Sequence, residues 1–330
     1  MIIAKCPLRI SLVGGSTDLQ EFVDTYGSGS VISFPCNLYT YITLFSDKNG
    51  YNKKEGEYIV NYSRRESSSD LGDIQNDIVR EALKYFEYSP CTISFNTDVF
   101  SAGSGLASSS SYTVALVKAL FRSVGVHMAD NAEICQKALE IERKFNPLTG
   151  YQDTYGCGLG LFKRMDFIKT GESTRVTTKI LSDELFNSYD CYLIYTGINR
   201  SSTKILNTLD LEKAQSLLPL VRETETAIKR ERYKDVFKII NEGWSLKKET
   251  SKDIASNKDL IELDEKLTSL DCVLGHKLCG AGGGGYFLVF TEKDANISDS
   301  INNFEDISFK IIPDKNGVQV CNIAGRVSIL

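Results

Sequence analysis

A run of small residues at positions 103–111 has the composition of an anion-binding loop. It reads Gly103-Ser104-Gly105-Leu106-Ala107-Ser108-Ser109-Ser110-Ser111 and lies between a predicted strand and a predicted buried helix. Small residues let the backbone approach an anion, and the first amides of a helix lack intrahelical partners and carry the positive end of its dipole. The run therefore predicts a phosphate-binding loop, with a flexible linker or a serine N-cap as the alternative. The P-loop pattern G-x-x-x-x-G-K-S/T is absent, because no Gly-Lys pair occurs in the chain.

A second glycine-rich segment, Gly280-Ala281-Gly282-Gly283-Gly284-Gly285, matches the spacing G-x-G-x-x-G. In a dinucleotide-binding fold this motif follows an early strand and opens a helix, whereas here it precedes a strand near the end of the sequence. The context therefore excludes the dinucleotide interpretation. So many glycines favour a loop pressed against a ligand, and a β-bulge or tight turn is the alternative.

Two carboxylates, Glu142 and Asp153, follow the first glycine-rich run. Each alone is typical of a solvated helix face or a turn. Their place after a phosphate-type loop favours phosphoryl transfer, which needs a ligand for a hard cation and a carboxylate near the attacking hydroxyl. With only two histidines, His127 and His276, the chain has few candidates for the base of a Ser-His or Cys-His mechanism.

The remaining sequence predicts the elements that position these groups. Alternating apolar residues around 8–12 predict a small sheet in the first part of the chain. Apolar spacings of three and four predict a helix over 74–88, and further helices are predicted over 112–121 and 129–145. Residues 203–270 read as helices almost without interruption, and strands return after them. Because strands and helices occur in blocks, the predicted class is α+β rather than doubly wound α/β.

Composition narrows the class of protein. The 330 residues include 38 Lys+Arg and 43 Asp+Glu, a net charge of −5, so the basic footprint of a nucleic-acid partner is absent. The length predicts about two domains or lobes. The sequence starts without a basic and then apolar leader, and no run of about 18 apolar residues occurs, which predicts a soluble, cytoplasmic protein without a membrane partner. Nine cysteines without a C-x-x-C pair argue against a disulfide framework or a zinc site.

Three motifs together resemble those of the GHMP kinases, the superfamily of galactokinase, homoserine kinase, mevalonate kinase and phosphomevalonate kinase. They are Pro7–Asp18, Gly103–Ser110 and Lys277–Gly285, which occur in the family's order and span nearly the whole chain. The resemblance implies a two-lobed α+β fold. Residues 1–170 would form an N-terminal lobe like ribosomal protein S5 domain 2, with a left-handed βαβ crossover, and residues 171–330 a ferredoxin-like C-terminal lobe.

The resemblance also implies a phosphotransferase that uses ATP and Mg²⁺ and has an alcohol group as acceptor. The loop from Gly103 to Ser110 would wrap the triphosphate, and Ser109 and Glu142 would hold Mg²⁺. Asp153 would be the catalytic base or would orient the acceptor hydroxyl, with Arg9 beside it. Ala107 stands where the family's motif usually has a glycine.

Within the superfamily, the segments around Gly14–Asp18 and Tyr195–Ser201 are similar to the heptose kinases, which phosphorylate the anomeric hydroxyl of a heptose 7-phosphate. Tyr151 stands where a lysine is common in those enzymes, so a neutral sugar stays open as acceptor beside a sugar phosphate. A kinase of a mevalonate- or homoserine-type alcohol and a non-catalytic sensor of sugar and ATP are the alternatives, and the chain would be a monomer or a homodimer. The resemblance assigns substrate contacts to Gly15, Ser16, Asp18, Thr196, Gly197, Gly282 and Gly283.

Overall fold

Two largely antiparallel sheets face one another across a shared core. The computed structural model describes residues 1–46, 56–100, 103–126, 130–199, 205, 207–301 and 303–322. Within these ranges the first sheet has eight strands. They are β1 (Ile2–Val13), β2 (Ser28–Ser46), β3 (Tyr58–Asn61), β4 (Arg65–Ser68), β5 (Cys91–Thr97), β6 (Lys163–Thr170), β7 (Ser173–Ile180) and β12 (Gln319–Asn322).

The long strand β2 organises the first sheet. The order is β12-β1-β2-β5-β3-β4, while β6 pairs with the first part of β2 and β7 pairs with β6. All of these pairs are antiparallel except β3 with β5. This sheet therefore draws strands from both sides of residue 170, the predicted boundary between the lobes.

The second sheet is smaller and antiparallel. Its order in the described chain is β11-β8-β10-β9. Its strands are β8 (Tyr189–Tyr195), β9 (Val273–Leu278), β10 (Tyr286–Glu292) and β11 (Ser308–Lys310).

The helices lie in two groups along the chain. Those in the first half are α1 (Gln20–Tyr26), α2 (Asp77–Tyr85), α3 (Ser108–Ser123), α4 (Asn131–Glu142) and α5 (Tyr151–Gly158). Those in the second half are α6 (Leu185–Ser188), α7 (Leu211–Ala214), α8 (Leu217–Lys229), α9 (Tyr233–Thr250), α10 (Lys258–Ser269) and α11 (Phe304–Ile307). The blocks of strands and helices confirm the α+β class.

Strand β1 forms because its apolar and polar residues alternate, and the alternation decides what each face contacts. Leu8 and Ile10 are buried in a core that also contains Leu193 and Leu288 of the second sheet. Arg9 and Ser11 lie on the other face of the strand and line a cavity. The strand thus joins the two sheets on one side and supplies polar groups on the other.

The predicted helices are present with different ends. The helix predicted over 74–88 is the shorter α2, and the helix predicted over 112–121 begins earlier, at the serine run. Helix α4 begins at Asn131, where the side chain of Asp130 accepts a hydrogen bond from the amide of Glu133 at 2.7 Å. His127, Arg200 and Ser201 lie outside the described residues.

Four elements of the first sheet and its helices have no counterpart in the sequence-based expectation. Helix α1 follows a glycine-bearing turn for which no helix is predicted, and helix α5 and strand β6 begin in a glycine-punctuated stretch over 150–167 that predicts neither. Strand β4 lies within residues 63–73, whose charged and serine-rich composition predicts a surface loop. Helix α5 contains two glycines, which disfavour a helix in isolation. At both positions the neighbouring side chains lie so close that a larger residue would not fit without a shift. A Cβ on Gly158 would lie 2.2 Å from the Sγ of Cys135, and one on Gly156 would lie 3.2 Å from the Cβ of Arg9.

Candidate active site

A cavity of about 370 Å³ lies where the three sequence motifs meet. The first motif contributes Arg9, Ser11 and the turn over 15–18, the second contributes most of the loop over 103–110, and the third contributes residues 280–281. Segments that are far apart in the sequence therefore form one site. Between the motifs, the wall is completed by Glu142, Asn146, Leu148, Thr149, Gly150, Gln152, Asp153 and Lys247.

Arg9 and Asp153 form an ion pair in the cavity wall. The Nε and Nη2 atoms of Arg9 donate to Oδ1 of Asp153 at 3.0 and 2.7 Å, and Nη1 donates to the carbonyl oxygen of Gly105 at 2.7 Å. The Arg9 side chain is 4% exposed and that of Asp153 is 29% exposed. Burial alone would lower the pKa of Arg9, but the adjacent Asp153 carboxylate raises it above its ordinary value. One guanidinium thus joins the carboxylate to the glycine-rich loop.

The backbone of β1 is irregular on either side of this arginine. The pairing register with β2 shifts between Pro7 and Arg9 and again between Ser11 and Val13. Such bulges redirect side chains and are frequent next to active sites. Here they flank the two polar residues of β1 that line the cavity.

The glycine-rich loop turns its backbone at every second residue. Gly103, Gly105 and Ala107 have φ angles of 66°, 80° and 60°. Alternation of this kind points successive amides toward one side and forms anion-binding concavities. Helix α3 begins directly afterwards at Ser108, so its first amides, which have no intrahelical partners, lie at the same place. The geometry fits a phosphate group.

Glu142, at the end of α4, presents an oxygen suited to a metal ion. The residue is 1% exposed, and its Oε2 atom has no hydrogen-bond partner. Burial raises its pKa to about 7, while hydrogen bonds with Ser110 and Ser109 act in the opposite direction. An unpartnered carboxylate oxygen beside serine hydroxyls fits Mg²⁺, which binds oxygen ligands and takes the rest of its coordination from water and phosphates. In the described residues no group of three or more His, Cys, Asp or Glu side chains could hold a metal.

Asp18 lines the cavity and accepts hydrogen bonds on both of its carboxylate oxygens. Its Oδ1 accepts from the amide of Ser16 at 3.2 Å, and its Oδ2 accepts from the amide of Gln152 at 3.1 Å. A Cβ on Gly150 would lie 2.0 Å from the same Oδ2, so only glycine allows α5 to approach this closely. Burial, followed by the charge of Asp153, raises the pKa of Asp18 to about 6.

Not every predicted site residue lines the cavity. Leu106 is fully buried in the core between the sheets, and only its neighbours in the loop reach the cavity. Thr196 donates through Oγ1 to the carbonyl of Gly285 at 2.9 Å, so it secures the third motif. Gly282 and Gly283 pack against Ile254. The substrate contacts expected of Thr196, Gly197, Gly282 and Gly283 stay predictions, since the cavity lining does not include these residues.

Several lining residues escaped the sequence-based prediction. Gln152 could have been predicted as a site residue, because it is the sequence neighbour of Asp153. Ser11 lies within the first motif, which assigns it no role, and Thr149 and Lys247, which belong to none of the three motifs, are brought to the cavity only by the tertiary fold. Tyr151, by contrast, stacks on Phe167 and is not part of the cavity lining.

Comparison with known proteins agrees with this geometry. Residues 76–161 match the model of the family described as GHMP kinases N terminal domain. A D-glycero-alpha-D-manno-heptose 7-phosphate kinase of Campylobacter jejuni is 29% identical over 311 residues, which cover 88% of this chain and 89% of that protein. Residues 76–161 thus form a GHMP kinase N-terminal domain. An L-fucokinase/L-fucose-1-P guanylyltransferase of Bacteroides fragilis is 31% identical over 344 residues, which cover 89% of this chain but only 35% of that protein.

Solved structures share the fold over almost the whole of this chain. A D-glycero-D-manno-heptose 1-phosphate kinase from Bacteroides thetaiotaomicron aligns with a TM-score of 0.75 at 19% identity and covers 98% of this chain and 100% of its own. The phosphomevalonate kinase of Streptococcus pneumoniae, in complex with phosphomevalonate and AMPPNP, aligns with a TM-score of 0.74 at 15% identity and covers 94% and 100%. At these identities the likeness concerns the fold. In the described part of the chain, every helix is too short or too polar to span a membrane.

Proposed function

We propose that this kinase transfers the γ-phosphoryl group of ATP to a sugar hydroxyl, specifically the anomeric hydroxyl of D-glycero-D-manno-heptose 7-phosphate or a closely related sugar. The observation that carries the proposal is the guanidinium of Arg9, which bonds both to Asp153 and to the carbonyl of Gly105 in the phosphate-type loop. It fixes the Asp153 carboxylate relative to the loop that would hold the phosphates of ATP. The heptose kinase and fucokinase relatives support a sugar as acceptor.

Different residues of the cavity would have different roles in phosphoryl transfer. The amides at the start of α3 and the backbone of the loop over 103–110 would hold the phosphates. Both Arg9 bonds to Asp153 go to Oδ1, so Oδ2 is the oxygen that would accept the proton of the acceptor hydroxyl. As that proton leaves, the hydroxyl oxygen bonds to the γ-phosphorus and the bond to the bridging oxygen of ADP breaks. Arg9, between Asp153 and the loop, would stabilise the negative charge that develops during the transfer.

A metal ion fits beside this arrangement. Ser109 and Glu142 would hold Mg²⁺, which when bound neutralises charge on the phosphate oxygens. The burial of Glu142 requires a cation to stabilise its charged form. Asp18, in a turn that borders the cavity, would accept hydrogen bonds from sugar hydroxyls through its carboxylate.

The test is an ADP-release assay with MgATP and a panel of acceptors: heptose 7-phosphate, heptose, fucose, mannose, galactose, mevalonate and homoserine. We expect turnover with a heptose or its 7-phosphate. Asp153→Asn should lower kcat by about 10²- to 10⁴-fold, the usual contribution of a positioned proton acceptor, and should leave ATP affinity nearly unchanged. Asp24→Asn, on the exposed part of α1, is the matched control and should retain full activity.

Three results would contradict the proposal. Near-normal turnover by Asp153→Asn would remove the assigned proton acceptor. Turnover restricted to mevalonate or homoserine would replace the sugar by another alcohol. ATP binding without turnover on any acceptor of the panel would favour a sensor.

A further inference from the structure

A buried lysine outside the described cavity lining contacts the helix that carries Asp153. Lys163 is the first residue of β6 and is 2% exposed. Its Nζ atom donates to the carbonyl oxygens of Leu159, Leu161 and Gly156 at 2.7, 3.3 and 3.4 Å. Burial lowers the pKa of Lys163 to about 8. A buried ammonium group is stable only where polar groups satisfy it, and here backbone carbonyls do so.

The three carbonyls belong to the end of α5 and to the turn that joins it to β6. The last carbonyls of a helix lack intrahelical partners, and a cation near them interacts favourably with the helix dipole. A helix of eight residues with two glycines gains little stability from its own hydrogen bonds. In the turn, Leu161 has a φ angle of 72°, a left-handed conformation that costs free energy for leucine. Lys163 therefore stabilises both a short helix and a strained turn.

Helix α5 connects this lysine to the cavity. Asp153 and the amide of Gln152, which donates to Asp18, lie in its first turn. Near its end, the Sγ of Cys157 donates to the carbonyl oxygen of Ala107 in the phosphate-type loop at 3.7 Å. Eight residues of helix extend over only about 12 Å, so a displacement of the end of α5 also moves its first turn.

We propose that Lys163 is a positioning residue of the kinase, which acts through Asp153 by fixing α5 at its carboxyl end. The inference rests on the proposed function, in which Oδ2 of Asp153 accepts the proton of the acceptor hydroxyl. Phosphoryl transfer depends chiefly on the placement of the reacting groups, and a misplacement of about 1 Å lowers a rate by about 100-fold. Lys163 therefore affects turnover from outside the cavity.

The first experiment is a double-mutant cycle between Lys163 and Asp153. Lys163→Met keeps the length of the side chain and removes its charge and its N–H donors. It should lower kcat roughly 10- to 100-fold and leave KM for ATP within about twofold of the wild-type value. In the Asp153→Asn enzyme, whose proton acceptor is already lost, the same substitution should lower kcat by less than about threefold. A role in folding alone would reduce the active fraction equally in both backgrounds.

Lys169→Met, on the same strand, is the matched control. Nζ of Lys169 also donates to a backbone carbonyl, that of Asp24 on α1 at 3.1 Å, but its side chain is 40% exposed. This variant should keep the wild-type kcat. Lys163→Gln keeps an N–H donor in a shorter side chain and replaces Lys163→Met if that variant does not fold. It should show the same pattern with a smaller loss.

Two kinetic results would overturn the proposal. Wild-type kcat in the folded Lys163 variants would show that α5 stays in place without the ammonium group. Equal losses of kcat in the two backgrounds would show that Lys163 acts only through the stability of the fold.

The second experiment measures hydrogen exchange at the amide of Gln152, so that it does not depend on turnover. This amide donates to Asp18 and exchanges when α5 moves away from it. In Lys163→Gln the exchange should be roughly tenfold faster, while the amides in the middle of α4 keep their wild-type rates. If no acceptor is phosphorylated, the proposed function fails, yet faster exchange would still support the fixing of α5 by Lys163. Unchanged exchange would overturn the inference even where the kinase activity is confirmed.

Discussion

Single residues in this cavity combine burial with charge, and Glu142 shows the conflict between function and stability most clearly. Its carboxyl group is buried at the end of α4 with one oxygen unpartnered, and burial raises its pKa to about 7. A protein without a ligand gains nothing from ionising such a group. A bound cation would reverse this, because the carboxylate would then have a charged partner. The buried carboxylate of Glu142 therefore destabilises the ligand-free protein, and a bound metal ion would offset this loss of stability.

Glu142→Gln should accordingly raise stability and lower activity. At pH 8 the substitution removes the cost of a buried carboxylate, so the free energy of unfolding should rise by about 3 kcal/mol, from a pKa near 7 against 4.5 for the ordinary group. Without the carboxylate, kcat/KM for MgATP should fall about 100-fold and the Mg²⁺ concentration at half-maximal rate should rise. Urea denaturation and initial rates over a Mg²⁺ series measure the two effects.

Glu140→Gln is the matched control for this prediction. Glu140 lies on the same helix but is exposed and pairs with Lys137. Both quantities should stay near the wild-type values. A Glu142→Gln enzyme with an unchanged Mg²⁺ requirement would show that the metal is held elsewhere.

At the scale of elements, the sequence predicts the helices and strands whose formation follows from a local residue pattern. It does not predict those that depend on tertiary contacts with distant segments. Helix α3 could be predicted from its apolar run, and Asp153 and Glu142 from their distances to the glycine-rich motifs. Helix α5 could not, because glycines oppose helix formation in isolation. They are needed there only because Arg9 and Cys135 pass close by.

The loop before α3 carries a local strain that can be measured. Ala107 is the helix N-cap and has φ 60° and ψ 43°, a left-handed conformation that glycine adopts at little cost and alanine does not. Ala107→Gly should raise the free energy of unfolding by about 1 kcal/mol and keep kinase activity.

The sign of this effect distinguishes strain from ordinary helix propensity. Ala115→Gly, in the buried interior of the same helix, should lower the free energy of unfolding by about 1 kcal/mol or more. Urea denaturation of both variants makes the comparison. A loss of stability in Ala107→Gly similar to that in Ala115→Gly would show that the left-handed conformation costs nothing here.

At the scale of the whole molecule, the full set of residues that line the cavity is the feature that is hardest to predict from the sequence. Its motifs could be recognised one by one, but Lys247 lies in an unbroken helical region and carries no motif signal. Only the packing of α9 near β1 and the third motif brings its Nζ to Gly15. Residues whose role depends on two distant segments meeting cannot be found from spacing, since neither segment alone shows what it will contact.

The cavity also sets how the stability of the ligand-free molecule depends on pH. Asp18 and Glu142 have folded-state pKa values of about 6 and about 7, above their ordinary values of 3.8 and 4.5. A carboxyl group with a raised pKa binds its proton more tightly in the folded state, so its contribution is complete below the ordinary pKa and is lost as pH rises through the folded-state pKa. Stability should therefore fall between about pH 5 and pH 7.5.

Other shifted groups leave this interval almost unaffected. Glu225 and Asp264, whose ion pairs hold their pKa values near 2 despite burial, lose their contribution only in stronger acid. The buried Lys163 and Lys277, with pKa values lowered to about 8, act mainly above pH 7.5. The carboxyl groups of Asp18 and Glu142 thus determine how steeply the stability falls between pH 5 and pH 7.5.

We expect Tm of the ligand-free protein to fall by roughly 5 °C from pH 5 to pH 7.5, which corresponds to about 3 to 4 kcal/mol for a chain of this size. Glu142→Gln removes the larger of the two contributions and should reduce the fall by about half or more. Calorimetric scans of both proteins across this interval measure the slope. A Tm that rises with pH in the wild-type protein, or an equal slope in the variant, would mean that these buried carboxyl groups are stabilised by contacts other than those that line the cavity.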